Sequence, residues 1–432
     1  MKVTFFLLLT ILASMSALAQ FPPAAQNELK GGLGLTWIDN QPFYAVHMQP
    51  EFSFSNIGVG LDLLLEFDGH GNIRKEDFQQ FSDYVRAVRY IRYGKETDPV
   101  FVKLGALDYV TLGHGSIINT YNNSTSFDAR KDGLQLNFNA ELGGLQFMYG
   151  NFAQAGVAGI RAFVKPLQMT SMKEIPIISN LEVGVTYATD FDKYARVDYI
   201  SPLADTIGTN GSLNIVGADI GLPLVKSEFM KLELYADFVK ILDFGSGATA
   251  GISLDGDATE MLKIRAKVER RFNGDSYIPS YFNSFYEIQR FNTLTHASKS
   301  LALNTLVNNN NGIYGELLIR VVNTFDIIGN YQKLDIGPTG ILHLSTDVAP
   351  KDAPFIAKAG YDKVNIVDLQ DLLTTDDRSY LFVEVGYKPM AYMIVSTMYM
   401  WTFSPTYDDN KNVIGYEPQK KIEPRITFVY PM

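Results

Sequence analysis

Phe229–Ile241 reads FMKLELYADFVKI, and its two interleaved sets of side chains decide the fold. Met230, Leu232, Leu234, Ala236 and Phe238 form one set; Lys231, Glu233, Tyr235 and Asp237 form the other. A period of two belongs to an extended strand, whose successive side chains point to opposite faces. One face is apolar and the other carries charge, so the strand separates two different solvents. Met261–Phe272 repeats the pattern, with Leu262, Ile264, Ala266 and Val268 against Lys263, Arg265, Lys267, Glu269 and Arg271.

The same rhythm extends in both directions. Ile57–Asp68 alternates Ile57, Val59, Leu61, Leu63, Leu65 and Phe67 with mostly small or polar residues. Leu134–Leu142, Leu181–Thr189, Leu213–Leu222, Gly245–Leu254, Ile313–Val322 and Phe325–Leu334 read likewise, separated by turn residues such as Gly143-Gly144. The reading finds nineteen candidate strands. A closed barrel with both ends on one side needs an even number. Discarding the weakest (Glu28–Ile38, Val88–Tyr93, Ile341–Thr346) gives an expected sixteen to eighteen. Glu76–Arg86 has helical spacing. Asn273–Asn311, rich in aromatics, and Val348–Arg378, with a short helix near Ile366–Leu373, read as insertions.

Lys2, the apolar run Val3–Ala13 and Ala17-Leu18-Ala19 have the layout of a secretory signal peptide cut after Ala19. The expected organisation is a signal at 1–19, a leader at 20–27 and one domain over 28–432. Without Lys2, 36 basic residues face 47 acidic ones. An acidic exported chain with no basic cluster is a poor nucleic-acid ligand. Cys is absent, which excludes disulfides and thiol chemistry. The most apolar internal run, Met390–Ser404, would span about 22 Å as a helix, short of a bilayer core, and its Tyr, Thr, Val and Ile suit a strand.

Alternation alone does not say which face is wet. A soluble sandwich would bury the apolar set. A barrel of sixteen or more strands is too wide for side chains to fill, so its inside holds water or a plug. Export, and the closing segment with Ile426, Phe428 and Tyr430 opposed to Arg425 and Thr427, favour the barrel. In lipid a sheet must close, because open edges leave backbone groups unpaired. Arg270 falls on the apolar side near a strand end, where it can snorkel. In this architecture the chain resembles porin-like outer-membrane β-barrels. Val88–Asn119, with IRYG, LGALD and LGHG, also resembles uncharacterised barrels of Bacteroidota-type bacteria. Such barrels usually end on an aromatic residue; here Pro431-Met432 follow Tyr430.

The fold expected is thus all-β: a closed antiparallel transmembrane β-barrel with a few short helices in its loops. The function expected is passive passage of small hydrophilic solutes through the outer membrane, without cofactor or catalysis. The partners expected are outer-membrane lipids, the solutes and the barrel-assembly machinery, with the loops as the place for a protein partner. A plugged structural or secretion-partner barrel is the alternative. Lys231, Glu233, Asp237, Lys263, Arg265, Lys267, Glu269, Arg271, Glu316 and Glu384 are the expected lumen lining. Arg86, Arg89 and Arg92 recur at three, which demands a bulge or junction.

His114-Gly115-Ser116 faintly resembles the His-x-Ser arrangement of outer-membrane phospholipase A, without its Ser-Asn-Gly continuation; a turn is the simpler reading. Asp68, His70 and Asn72 have the spacing that opens a calcium loop, but no Asp-rich continuation follows beyond Asp77, which makes a surface turn the expectation. The five His are scattered and support no zinc site. The barrel reading predicts that the chain stays dispersed only in detergent. A monodisperse preparation in plain buffer would establish the sandwich instead.

Overall fold

The computed structural model describes residues 28–431 apart from 39–40, 69, 75–86, 97, 125–130, 154–155, 195–210, 228, 260–261, 293–296, 305, 307–310, 322–323, 351–352, 391–392 and 410–412. The expected signal peptide, leader and Glu76–Arg86 helix lie outside the described residues. No described helix is long and apolar enough to cross a membrane.

Among the described residues, one antiparallel sheet holds 21 strands, two of which are halves of a single strand. In chain order they are β1 (Glu28–Ile38), β2 (Gln41–Phe54), β3 (Ile57–Leu61 and Leu63–Phe67, broken at Asp62), β4 (Val88–Tyr93) and β5 (Val100–Gly105). Then come β6 (Gly133–Asn139), β7 (Gly143–Tyr149), β8 (Val157–Val164), β9 (Glu182–Asp190) and β10 (Leu213–Lys226). The next five are β11 (Met230–Ile241), β12 (Ser246–Thr259), β13 (Leu262–Asn273), β14 (Gly312–Val321) and β15 (Phe325–Leu334). The last are β16 (Gly340–Val348), β17 (Phe355–Ile366), β18 (Ser379–Met390), β19 (Met393–Tyr407) and β20 (Val413–Pro431). Each pairs with its sequence neighbours. Residues 28–33 of β1 pair with 426–431 of β20, so the ladder returns on itself and the barrel closes.

Twenty strands correct the expected sixteen to eighteen. All nineteen segments read from the sequence are strands, including the three judged weakest. The one missed is β17, placed inside the supposed insertion Val348–Arg378. Its outward set, Phe355, Ala357, Ala359 and Tyr361, contains two alanines, and its inward set contains Ile356 and Gly360, so the contrast between its faces is small. The helix expected near Ile366–Leu373 is a single 3-10 turn, Asp371–Leu373.

Burial settles which face is wet. On β11, Glu233 and Asp237 are 5% and 6% exposed, whereas Leu234 and Phe238 are 43% and 55% exposed. The charged set points inward and the apolar set outward, the reverse of a soluble core. Val268, Val385, Ile220 and Val185 stand on the same outer surface. Arg270, also outward, pairs with Asp335 at 2.8 Å near the rim. Arg92 reaches Glu51, and Arg89, the residue skipped by a register shift between Gly60 and Leu61, reaches Asp108, which is the expected irregularity. Arg86 lies outside the described residues.

The two ends of the barrel differ. At the end holding both termini, connections such as 55–56, 140–142, 260–261 and 391–392 are short, with 165–181 the long exception. At the other end stand the longest ones, 68–87, 106–132, 191–212, 274–311 and 367–378. There too β19 and β20 run past their neighbours as a ribbon. Its pairs Thr397–Pro424, Phe403–Pro418 and Pro405–Tyr416 share one parity, so each missing N–H falls where it would point out of the ribbon and the ladder loses nothing. Continuing the β1–β20 register would set Leu35 opposite Pro424, and the seam ends at Leu33–Ile426. Because the chain has no Cys, Leu33→Cys with Ile426→Cys should cross-link on oxidation and shift mobility on a denaturing gel. A pair that stays reduced would refute the closure.

Candidate functional site

The inner surface is occupied on one side by two segments entering from the long-loop end. The first, Ala106–Ser124, is an inner hairpin: Val110 and Tyr121 exchange backbone bonds at 2.9 and 2.8 Å, and Leu112 N–H donates to Ile118 O at 3.2 Å. Asn123 ties its base to the wall, accepting from Leu107 N–H at 2.8 Å and donating to Gly150 O at 2.9 Å. The second is the insertion after β13. Phe282 and Asn283 pair with Ile118 and Asn119, and Ser280 donates through N–H to Ser116 O and through its hydroxyl to Gly115 O.

The pattern of apolar residues explains why both segments lie inside. Leu107, Val110, Leu112, Ile117, Ile118 and Tyr121 pack with Tyr277, Tyr281, Phe282 and Tyr286 against inward Met148, Val157, Ile215, Val239 and Ile241, all buried. These wall positions are apolar on the face that is charged elsewhere. Inner glycines leave the room: a Cβ at Gly159 would stand 2.3 Å from Ile118 Cδ1, and one at Gly217 2.9 Å from Ile117 Cδ1. A void there would cost contacts, and a side chain would displace the hairpin. The aromatics of the insertion Asn273–Asn311 belong to this interior cluster. Phe282 and Tyr286, four residues apart, lead into one helical turn, Tyr286–Gln289.

The hairpin tip is held by ionisable groups of the wall. His114 Nδ1 lies 2.9 Å from Asp237 Oδ1, and the Ser116 hydroxyl donates to Asp237 Oδ2 at 2.6 Å. The His114 ring stacks on Tyr235 with centroids 4.1 Å apart. Lys267 donates to His114 O at 3.2 Å, Gln146 accepts from Gly113 N–H at 2.9 Å, and Asn119 donates to Glu316 at 3.3 Å. The Ser116 proton is thus directed at Asp237 and not at the imidazole, which is an anchoring geometry and not that of an activated nucleophile. His114, Asp219 and Asp237 could offer three ligand atoms within 4.8 Å of one another. However, both Asp219 oxygens accept from Arg161, at 2.9 and 2.6 Å, so those donors are already engaged.

The insertion is fastened similarly. Asp190 accepts from Arg290 at 2.5 Å and from the Tyr286 hydroxyl, and Glu287 accepts from the Tyr121 hydroxyl and Lys131. Burial, with the Glu287 charge beside it, pushes the Tyr121 phenol well above its ordinary range, which keeps the group a donor. Lys299 donates to Tyr281 O at 2.9 Å and to Gln289 at 3.2 Å, and burial lowers its ammonium to about 7.

The expected lining residues fall into three places. Glu233, Asp237, Glu269, Arg271, Lys267 and Glu316 come together around the hairpin tip: Arg271 pairs with Glu269 at 2.6 Å, and Lys267 lies 3.3 Å from Glu269 and 3.6 Å from Glu316. Lys231, pairing with Glu233 at 2.7 Å, Lys263 and the exposed Arg265, pairing with Asp255 at 3.0 Å, lie toward the short-turn end. Glu384 stands apart on β18, accepting from Ser396 at 2.5 Å. Asp190, Glu287 and the Arg161–Asp219 pair were not picked out from sequence, because each gains its role from a segment distant in the chain. The Asp68 carboxylate caps its own turn, accepting from His70 and Asn72 N–H at 2.9 and 2.8 Å, in line with the surface-turn reading.

No protein-family model and no curated protein sequence matches the chain. Among solved structures it is similar to the ferric enterobactin receptor (PfeA) in complex with BCV-L6, at 10% identity over 94% of this chain and 74% of that one, with a TM-score of 0.41. It is also similar to Wzi of Escherichia coli, described as a carbohydrate-binding β-barrel, at 10% identity over 98% and 87%, TM-score 0.37. OccAB3 of Acinetobacter baumannii gives 10% identity over 94% and 98%, TM-score 0.30.

Removing Asp237 leaves two donors without an acceptor, a loss of about 1–3 kcal/mol. Asp237→Ala should therefore make Leu112–Ile118 susceptible to limited proteolysis while the barrel band survives; unchanged resistance would contradict the anchoring role. Lys299 binds its proton less tightly folded than unfolded. Stability should rise as pH increases from about 7 toward the ordinary lysine range near 10, and Lys299→Met should flatten that rise in thermal melts.

Proposed function

We propose that the protein is an outer-membrane barrel through which small hydrophilic solutes diffuse, with the inner hairpin and the insertion setting the width of the passage. The observation that carries this reading is the inverted burial on β11, charged side chains inward and apolar ones outward, in a sheet that closes. An apolar girdle on a closed ladder suits hydrocarbon, where no strand edge can be left unpaired. Short turns at the end holding the termini and long connections at the other match the periplasmic and external faces of such barrels. Twenty strands also exceed the width at which side chains alone fill a barrel.

In this reading the mechanism is passive. The hairpin does not swing: its apolar side is fully packed and its tip is bonded to several wall strands. It acts as a fixed narrowing, and the ionised groups around it act on passing charges. Lipids surround the outer face, the assembly machinery inserts the barrel, and no bond of the solute is made or broken. The interior apolar cluster favours one rival, a plugged barrel whose long loops hold a protein partner.

Recordings in planar bilayers separate the two. The channel reading expects discrete conductance steps, larger when residues 112–118 are replaced by a Gly-Ser linker. A barrel that is silent in both forms would be a plugged one.

A further inference from the structure

We infer that the loop 367–378 is folded back on the outside of the barrel by a buried ion cluster and rests its leucines in the hydrocarbon boundary of the outer leaflet, so that what covers it is lipid. This rests on the outer-membrane reading and adds a lipid contact that the strands themselves do not make.

The first support is the place of Lys363. On β17 the outward set Phe355, Ala357, Ala359 and Tyr361 continues, two residues on, at Lys363, whose β18 partner is Ser379, two residues from Leu381 on the same face. A lysine on the set that faces hydrocarbon ordinarily snorkels to water. Arg270 takes that route, exposed and paired with Asp335. Lys363 does not, being 0% exposed. Its ammonium donates to Asp371 O at 2.6 Å and to Thr374 O at 2.7 Å, and it lies 3.2 Å from Asp376 Oδ2. Arg378 closes the cluster, meeting Asp371 at 2.5 Å and also Asp376. The outward Tyr361 hydroxyl donates to Leu372 O at 2.9 Å. Acceptors of the loop thus satisfy a lysine that would otherwise face lipid, and the same bonds hold the loop on the outer wall.

The second support is what the folded loop presents. With Asp371, Asp376 and Arg378 engaged around Lys363, it exposes Val367, Leu369 and Leu373 at 53%, 77% and 79%. Lys333 reaches Gly337 O and Ile366 O at 3.5 and 3.4 Å, which sets exposed Ile336 beside Val367, at the rim marked by the Arg270–Asp335 pair. The outer surface of the same strands carries Leu344, Val383 and Val385, all exposed. The loop therefore extends an apolar surface already turned to lipid.

The chain has no Cys, so single cysteines each report one position. Leu369→Cys, Leu373→Cys, Val385→Cys on the girdle and Ile414→Cys near the ribbon tip are labelled with bimane. The full chain is reconstituted in phosphatidylcholine vesicles whose acyl chains carry a nitroxide either near the headgroup or near the methyl end. Quenching is expected at Leu369→Cys and Leu373→Cys, stronger from the shallow nitroxide, and at Val385→Cys, stronger from the deep one. Ile414→Cys should stay unquenched. Quenching at the two loop positions no greater than at Ile414→Cys, with Val385→Cys quenched, overturns the inference and leaves the barrel in its membrane. Blue-shifted loop emission that neither nitroxide quenches would mean that a second copy covers the loop, and overturns it equally. An unquenched Val385→Cys would count against the outer-membrane reading itself. Lys363→Met in the Leu373→Cys chain should release the loop and abolish its quenching; persistence would refute the clamp. If that double variant gives no compact barrel band, the single cysteines decide alone.

Discussion

The pairing of Glu28–Leu33 with Ile426–Pro431 is the constraint on which the architecture depends, because it removes the last open strand edge. A sheet with free edges must hide them from hydrocarbon or bond them to water. Once closed, the ladder satisfies its own backbone, and the outer face is free to be apolar. The prolines of the β19–β20 ribbon obey the same economy, falling where the ladder has no hydrogen bond to lose.

Closure at twenty strands creates the second problem, an interior too wide for wall side chains to meet. This chain solves it locally. The inward faces of β7–β11 turn apolar toward one end, small residues open a bay, and two segments of the chain fill it. The tip of the hairpin is then fixed by the polar part of the same wall. Asp237 illustrates the economy of the arrangement: a charged inward residue of β11 is also the acceptor that orients His114 and Ser116.

Much of this was legible in the residues. The alternation of Met230–Phe238 against Lys231–Asp237 predicts both a strand and its two environments, and every segment with strong contrast between its faces is a strand in the sheet. The even number that closure requires is reached by one strand more, β17, and not by one to three fewer. β17 escaped because Ala357, Ala359 and Gly360 blunt the difference between its faces, and its order comes from pairing on both sides with β16 and β18. The inner hairpin escaped more completely, since Ala106–Ser124 has the composition of a surface loop as well as of an interior one.

The sequence by itself determined the period, the two-solvent character of the strands and the ionised residues on the polar set, because these are properties of neighbours one and two residues apart. It could not determine which loops turn inward or which charges meet. Tyr121 with Glu287, Asp190 with Arg290 and Ser116 with Asp237 are separated by 166, 100 and 121 positions. Only the curvature of the closed sheet brings those positions together, and with them the filled side of the lumen.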